Sequence, residues 1–223
     1  MEKITIDTIV RSKRRTIALI VTPDAKLVVR APLRTSQAYI EKLVRDKSRW
    51  IEKKIAEVQC RQKPKKKSFV SGEDFLFMGK IYQLQIVETP VRDIELADKL
   101  YVPKKTVPEL REVLTRWYIG QAKKILHDRC EWFAAITGHK PAVIRVSHAT
   151  QRFGSCSSQG TISLSWRLIF APVDIIDYVI VHELAHLDHH NHSPKFWGRV
   201  KEMMPDYEVR RKWLKTNHHL LTL

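Results

Sequence analysis

The sequence predicts an α+β fold, with a basic β-rich region carrying one helix over 1–104 and a helix-rich α+β region over 105–223. Three observations predict it. Residues 3–31 and 75–102 alternate apolar and polar side chains, the period of half-buried strands. Residues 36–59, 108–137 and the chain from Pro172 onward space their apolar side chains at helical intervals. The net charge of +16 is divided unevenly: residues 1–70 hold 19 Lys and Arg against 7 Asp and Glu, whereas 71–223 hold 21 against 17. With 43% hydrophobic residues in 223, the chain has material for a core, which excludes a disordered or fibrous protein. Cys60, Cys130 and Cys156 are too few and too far apart for a disulfide framework. There is no signal-peptide pattern, and no run reaches the ~20 apolar residues of a membrane span. The expected compartment is the cytoplasm.

In chain order, KITIDTIV (3–10) and TIALIVTPDAKLVVRA (16–31) read as two or three strands, the second stretch broken at Pro23-Asp24-Ala25-Lys26. Thr35 or Ser36 caps a single helix to about Gln59, with Ile40, Leu43, Val44, Trp50, Ile51, Ile55 and Val58 on its apolar side. The charged run 63–67 is a break. FLFMGKIYQLQIV (75–87) is a hairpin about Gly79-Lys80, and IELADKLYV (94–102) another near Asp98-Lys99. A long helix over 108–137 ends at Gly138, with Pro141 beyond it. Then follow a strand over 142–148, a polar loop RFGSCSSQG, and a strand TISLSW (161–166).

The most informative stretch is Val181-His182-Glu183-Leu184-Ala185-His186. Histidines four apart lie one turn apart on one helix face, so both imidazoles reach one metal ion. The intervening Glu183 faces too far away to be a ligand and can instead take a proton from a metal-activated water. A catalytic site needs a third protein ligand, and His189, His190 and His192 are the candidates. On a straight helix His190 would lie ~12 Å from His182, too far to share an ion whose ligands sit ~2 Å away. Ser193-Pro194 opens a new helix, so the first must end near 188–191, with Asn191 suited to a left-handed residue. His192 then lies on the return of the chain and is the third ligand. Asp188 is a candidate for orienting a ligand histidine, and a solvated aspartate otherwise.

HELAHLDHHNHSPKFW, preceded by RFGSCSSQGTISLSWRLI, resembles the YgjP-like metallopeptidases, predicted metal-dependent hydrolases related to the SprT and WLM proteases. KRRTIALIV, LVVRAP, RDKSRWIEKK and SGEDFLFMGKIYQLQI extend a looser similarity over the N-terminal half. The resemblance implies a zincin-like metallopeptidase domain over 105–223, with His182, His186 and His192 on the metal and Glu183 as base. Five residues separate His186 from His192, as in metzincins, but His189 replaces their glycine and no methionine turn is evident; Met203 and Met204 read as core. The resemblance also makes TISLSW the candidate edge strand for pairing with an extended substrate.

The function expected is a zinc-dependent metallopeptidase, with one zinc per chain and a peptide or protein substrate; nickel, cobalt or manganese also suit imidazoles. Arg152 is a candidate for steadying an oxyanion or for a structural salt bridge, Cys156 an unreactive small residue, and Tyr207, His218 and His219 unranked neighbours. The alternative is a nucleic-acid-binding protein or a DNA-recruited protease, using Lys13-Arg14-Arg15, Arg45, Lys47, Arg49, Lys53, Lys54 and the run 63–67.

Overall fold

The computed structural model describes residues 4–22, 24–59, 67–88 and 93–223. Pro23, Cys60 and positions 63–66, which figure in the sequence reading, lie outside the described residues. The chain is a mixed α+β protein in two compact units, Met1–Lys63 and Pro64–Leu223. That division differs from the one expected at 104. Phe75, Phe77, Leu84, Leu100 and Val102 share one core with the long helix and everything after it, so the sheet over 74–103 packs as part of the second unit.

In the first unit β1 (Thr8–Ser12), β2 (Ala18–Val21) and β3 (Leu27–Pro32) form a sheet of order β1-β3-β2. β1 runs parallel to β3 and β2 antiparallel to it. Ser36 caps α1 (Gln37–Asp46) by accepting from the Tyr39 amide at 3.3 Å. The single helix expected to Gln59 is two, because the chain breaks at Lys47 before α2 (Ser48–Gln59). A straight 23-residue helix would run ~34 Å, well beyond the ~20 Å of a six-residue strand such as β3. Breaking it lets Ile40, Val44 and Ile51 all reach Leu27, Val29 and Ala31.

In the second unit β4 (Asp74–Phe77), β5 (Lys80–Val87), β6 (Glu95–Leu96) and β7 (Leu100–Pro103) form a sheet of order β4-β5-β7-β6. The β4–β5 turn is Met78-Gly79, both left-handed at φ 49° and 77°, a two-residue turn that matches strand twist. Its amides donate to the Ile169 and Phe170 carbonyls at 2.7 and 3.2 Å. Helix α3 (Leu110–Thr137) buries Leu110, Leu114, Tyr118, Ala122, Leu126 and Cys130, a stripe at every fourth residue, and ends at Gly138 with φ 75°. Tyr118 is fully buried, and its hydroxyl donates to the Leu76 carbonyl at 2.9 Å.

The third sheet joins β8 (Val143–Ser147), β9 (Gly154–Cys156) and β10 (Thr161–Ser165) in the order β8-β10-β9. Here a strand, β9, occupies part of the expected polar loop. TISLSW is correspondingly an interior strand rather than the edge, paired in parallel with β8 and antiparallel with β9. A short 3-10 segment, Trp166–Phe170, leads into α4 (Val173–Asp188), followed by α5 (Pro194–Met203) and α6 (Tyr207–Asn217). Met204 is buried, as its core reading expects. Among the described residues no helix is long and apolar enough to cross a membrane.

The Met78-Gly79 turn also sets where α4 begins: a Cβ on Gly79 would lie 2.7 Å from the Pro172 Cα. Gly79→Ala therefore combines a left-handed alanine with a backbone clash and should cost about 2–4 kcal/mol. Gly72 is also left-handed, at φ 87°, but has open space, so Gly72→Ala should cost only about 1–2 kcal/mol. Thermal unfolding of the two variants checks this, and equal losses would show that the Pro172 contact carries no weight.

Candidate active site

Helix α4 is buried on most of its surface. Ile175, Ile176, Tyr178, Val179, Ile180, Val181, Leu184 and Ala185 are all in the core, and so is Glu183. Within the aliphatic lead-in, Asp177 accepts a bidentate pair from Arg129 of α3 at 2.5 and 2.6 Å. The remaining strip of α4 presents His182 and His186, with ring centroids 5.1 Å apart.

The helix ends at Asp188. The expected left-handed Asn191 is absent, because His189 is already extended at φ −140° and the turn is made by that residue instead. Asn191 Oδ1 accepts from the Ser193 amide at 3.3 Å, and Ser193 Oγ caps α5 by accepting from the Phe196 amide at 3.5 Å. This return brings His192 back over α4. Its Nε2 lies 3.0 Å from His182 Nε2, and its ring is 4.8 Å from that of His186. One nitrogen from each of the three rings lies within 4.8 Å of the others. Phe196, fully buried, touches all three rings at 4.5–4.9 Å and forms the floor of the cluster.

His189 and His190 stand outside the cluster, but the His189 backbone contributes. His186 Nδ1 donates to its carbonyl at 3.0 Å, which leaves the Nε2 lone pair free. Burial lowers the His182 pKa to about 3, with the His186, His192 and Arg211 charges acting the same way. His186 is lowered too, mainly by burial. Asp188 orients no cluster histidine; it is exposed, as the solvated reading expects, but it is also paired. Its Oδ2 accepts from His139 Nε2 at 2.9 Å and Arg199 Nε at 2.8 Å, joining the ends of α3 and α4 to α5.

Glu183 points the other way, into β9. It is 5% exposed, and burial raises its carboxyl to about 8, with the Arg152 charge pulling against that rise. Gly154 is the reason it fits: a Cβ there would lie 2.3 Å from Glu183 Oε1. Among the described residues Arg152 forms no salt bridge. Burial raises the thiol pKa of Cys156 and raises that of Cys130 to about 12, so neither is an activated nucleophile. Tyr207 reaches the site through Trp197, whereas His218 and His219 form the short 3-10 turn after α6.

Sequence reasoning missed Gly154, Trp197 and Arg211 as parts of this site. Only the glycine within RFGSCSS offers a local signal, a residue without a side chain entering a strand.

Among solved structures, the metallopeptidase zymogen of Pyrococcus abyssi abylysin is 25% identical, over 42% of this chain and 94% of that one, with a TM-score of 0.38. The metallopeptidase zymogen of Methanocaldococcus jannaschii jannalysin is 21% identical, over 43% and 96%, with a TM-score of 0.37. No curated protein matches the chain. The model of the YgjP-like metallopeptidase domain matches residues 15–217, nearly the whole sequence, and the chain accordingly belongs to the YgjP-like metallopeptidases, a family of metal-dependent hydrolases.

Proposed function

We propose that the protein hydrolyses peptide bonds with one zinc ion held by His182, His186 and His192 and with Glu183 as general base. The observation that carries this is the convergence of three imidazoles at a helix whose next residue after His182 is a buried carboxylate, Glu183. The donor set fits the ion. Ligand nitrogens ~2.0–2.1 Å from a tetrahedral zinc lie roughly 3.3 Å apart, and the His182 and His192 Nε2 atoms are 3.0 Å apart. Two of the rings are held neutral by burial, as ligands must be.

When bound, zinc supplies Lewis acidity toward the substrate carbonyl and acidifies a water. Glu183 takes the proton of the attacking water and hands it to the departing amine, a transfer favoured by a carboxyl poised near neutrality. Arg152, whose charge already acts on Glu183, supports negative charge developing on that side. The outer edge of β9, rather than TISLSW, is where an extended substrate would add as a strand. Imidazole ligands also suit nickel, cobalt or manganese, so the metal is part of what must be measured.

Glu183→Gln should abolish peptide hydrolysis while elemental analysis still finds one metal per chain; a fully active variant would overturn the base. His192→Ala should lower metal affinity by at least tenfold and His190→Ala should leave it unchanged, with the reverse result moving the third ligand.

The raised Glu183 carboxyl gives a separate readout. Its folded value, about 8, lies above its ordinary 4.5, so its contribution to stability is full below about 4.5 and is lost as pH rises through 8. Between pH 6 and 9, metal-free wild type should lose on the order of 1–3 kcal/mol more stability than metal-free Glu183→Gln. Denaturant unfolding at both pH values checks this, and parallel pH profiles would contradict it.

A second reading, nucleic-acid binding, is favoured by one feature of the first unit. Lys42, Arg45, Arg49 and Lys53 are exposed and form no salt bridge among the described residues, and exposed Tyr39 and Trp50 stand on the same two helices. The full chain should then bind single-stranded DNA with an affinity that falls steeply with salt. Arg49→Glu with Lys53→Glu should weaken it at least fivefold, and binding without a salt slope would remove the reading.

A further inference from the structure

The wall built by α5 and α6 carries a charge that the proposed reaction does not use. Trp197 leans against His182 and His192, 5.7 Å from each ring, and Tyr207 stacks on Trp197 at 5.4 Å and 17°. One helical turn beyond Tyr207, the Arg211 guanidinium lies over the Trp197 ring, 4.2 Å from its centroid. Arg211 is exposed, and among the described residues it has neither a carboxylate partner nor a hydrogen bond. Its neighbour Arg210, by contrast, is paired with Asp206 and, at 3.8 Å, with Asp174. The nearby Glu208 carboxylate is engaged by the Tyr207 hydroxyl, which donates to it at 3.3 Å. The charge of Arg211 is felt at His182, Tyr178 and Tyr207.

A guanidinium stacked on an indole keeps its in-plane N–H donors free, and those donors match a carboxylate in a two-pronged pair. The platform also fixes reach. By way of Trp197 the guanidinium is no more than about 10 Å from the His192 ring, the span of about three extended residues.

We propose that Arg211, with Trp197 as its platform, is a specificity-determining residue that binds a substrate carboxylate within about three residues of the scissile bond. The carboxylate is either an acidic side chain or the C-terminus of the peptide. The proposal rests on the zinc-site reading above.

The test measures binding to zinc-loaded full-length protein, after its metal content is established. Three succinyl hydroxamates share one chelating group and differ only in the residue attached: glutamate amide, glutamine amide, or glutamine with a free C-terminus. By calorimetry, at least one anionic compound should bind wild type ~10-fold tighter than the neutral glutamine amide. Which of the two does so identifies the source of the carboxylate. Arg211→Gln should abolish the preference with zinc content unchanged, and Arg210→Gln should retain it. Three equal affinities in wild type, or a preference that survives in Arg211→Gln, would overturn the proposal. Protein that takes up no zinc overturns the metal-site reading itself, and this proposal with it.

Discussion

Helix α4 must be buried to hold its place and polar to do anything, and the second unit is arranged around that conflict. Its aliphatic side chains each contribute about 1.5–3 kcal/mol when fully removed from water. Glu183 works against that total, because burying a carboxyl disfavours its charged form. Nearly every partner of α4 serves one side or the other. Arg129 neutralises Asp177, the β4–β5 turn abuts Pro172 at its start, and β9 supplies a glycine where a side chain would collide with Glu183. The histidines occupy the one strip left uncovered by aliphatic packing, and there Phe196 provides an apolar floor.

The end of α4 is held as firmly as its start. Asp188 receives His139 from beyond α3 and Arg199 from α5, and Arg199 also donates to the Thr137 carbonyl at 3.3 Å. These groups are partly exposed, so each bond is individually modest. Together they fix the angle between α4 and α5, and that angle decides whether His192 returns over His182 or points into solvent. Cluster geometry thus depends on residues that touch none of the three rings.

Much of this was legible from local patterns. The spacing of His182, Glu183 and His186 is a statement about one helix, and Ser193-Pro194 marks the next start by side-chain capping alone, so both survive without tertiary knowledge. The helix stop at Gly138 and the hairpin at Gly79 are legible for the same reason, each being a left-handed position. The single helix drawn through Lys47 failed because no glycine or proline marks the break; the size of the sheet beneath it forces the bend. The edge strand was misplaced because β9 is three residues long, too short to show alternation, and its status depends on pairing with β10. The Trp197–Arg211 stack was invisible, since residues 192, 197, 207 and 211 meet only through the packing of α5 against α6. The boundary drawn at 104 followed a change in secondary structure, whereas a compact unit is defined by shared core.

The shortest strand of the third sheet also has a dynamic consequence. β9 has three residues, pairs on one side only, and begins with Gly154, which pays the largest backbone entropy of any residue on ordering. Few hydrogen bonds hold it and no side chain pins its first position, so local opening there is cheaper than anywhere along α4. The wall that confines Glu183 is thereby the softest element around it. A peptide adding to its outer edge would supply the missing ladder and quiet it, so that ordering of the strand and capture of the substrate become a single thermodynamic event.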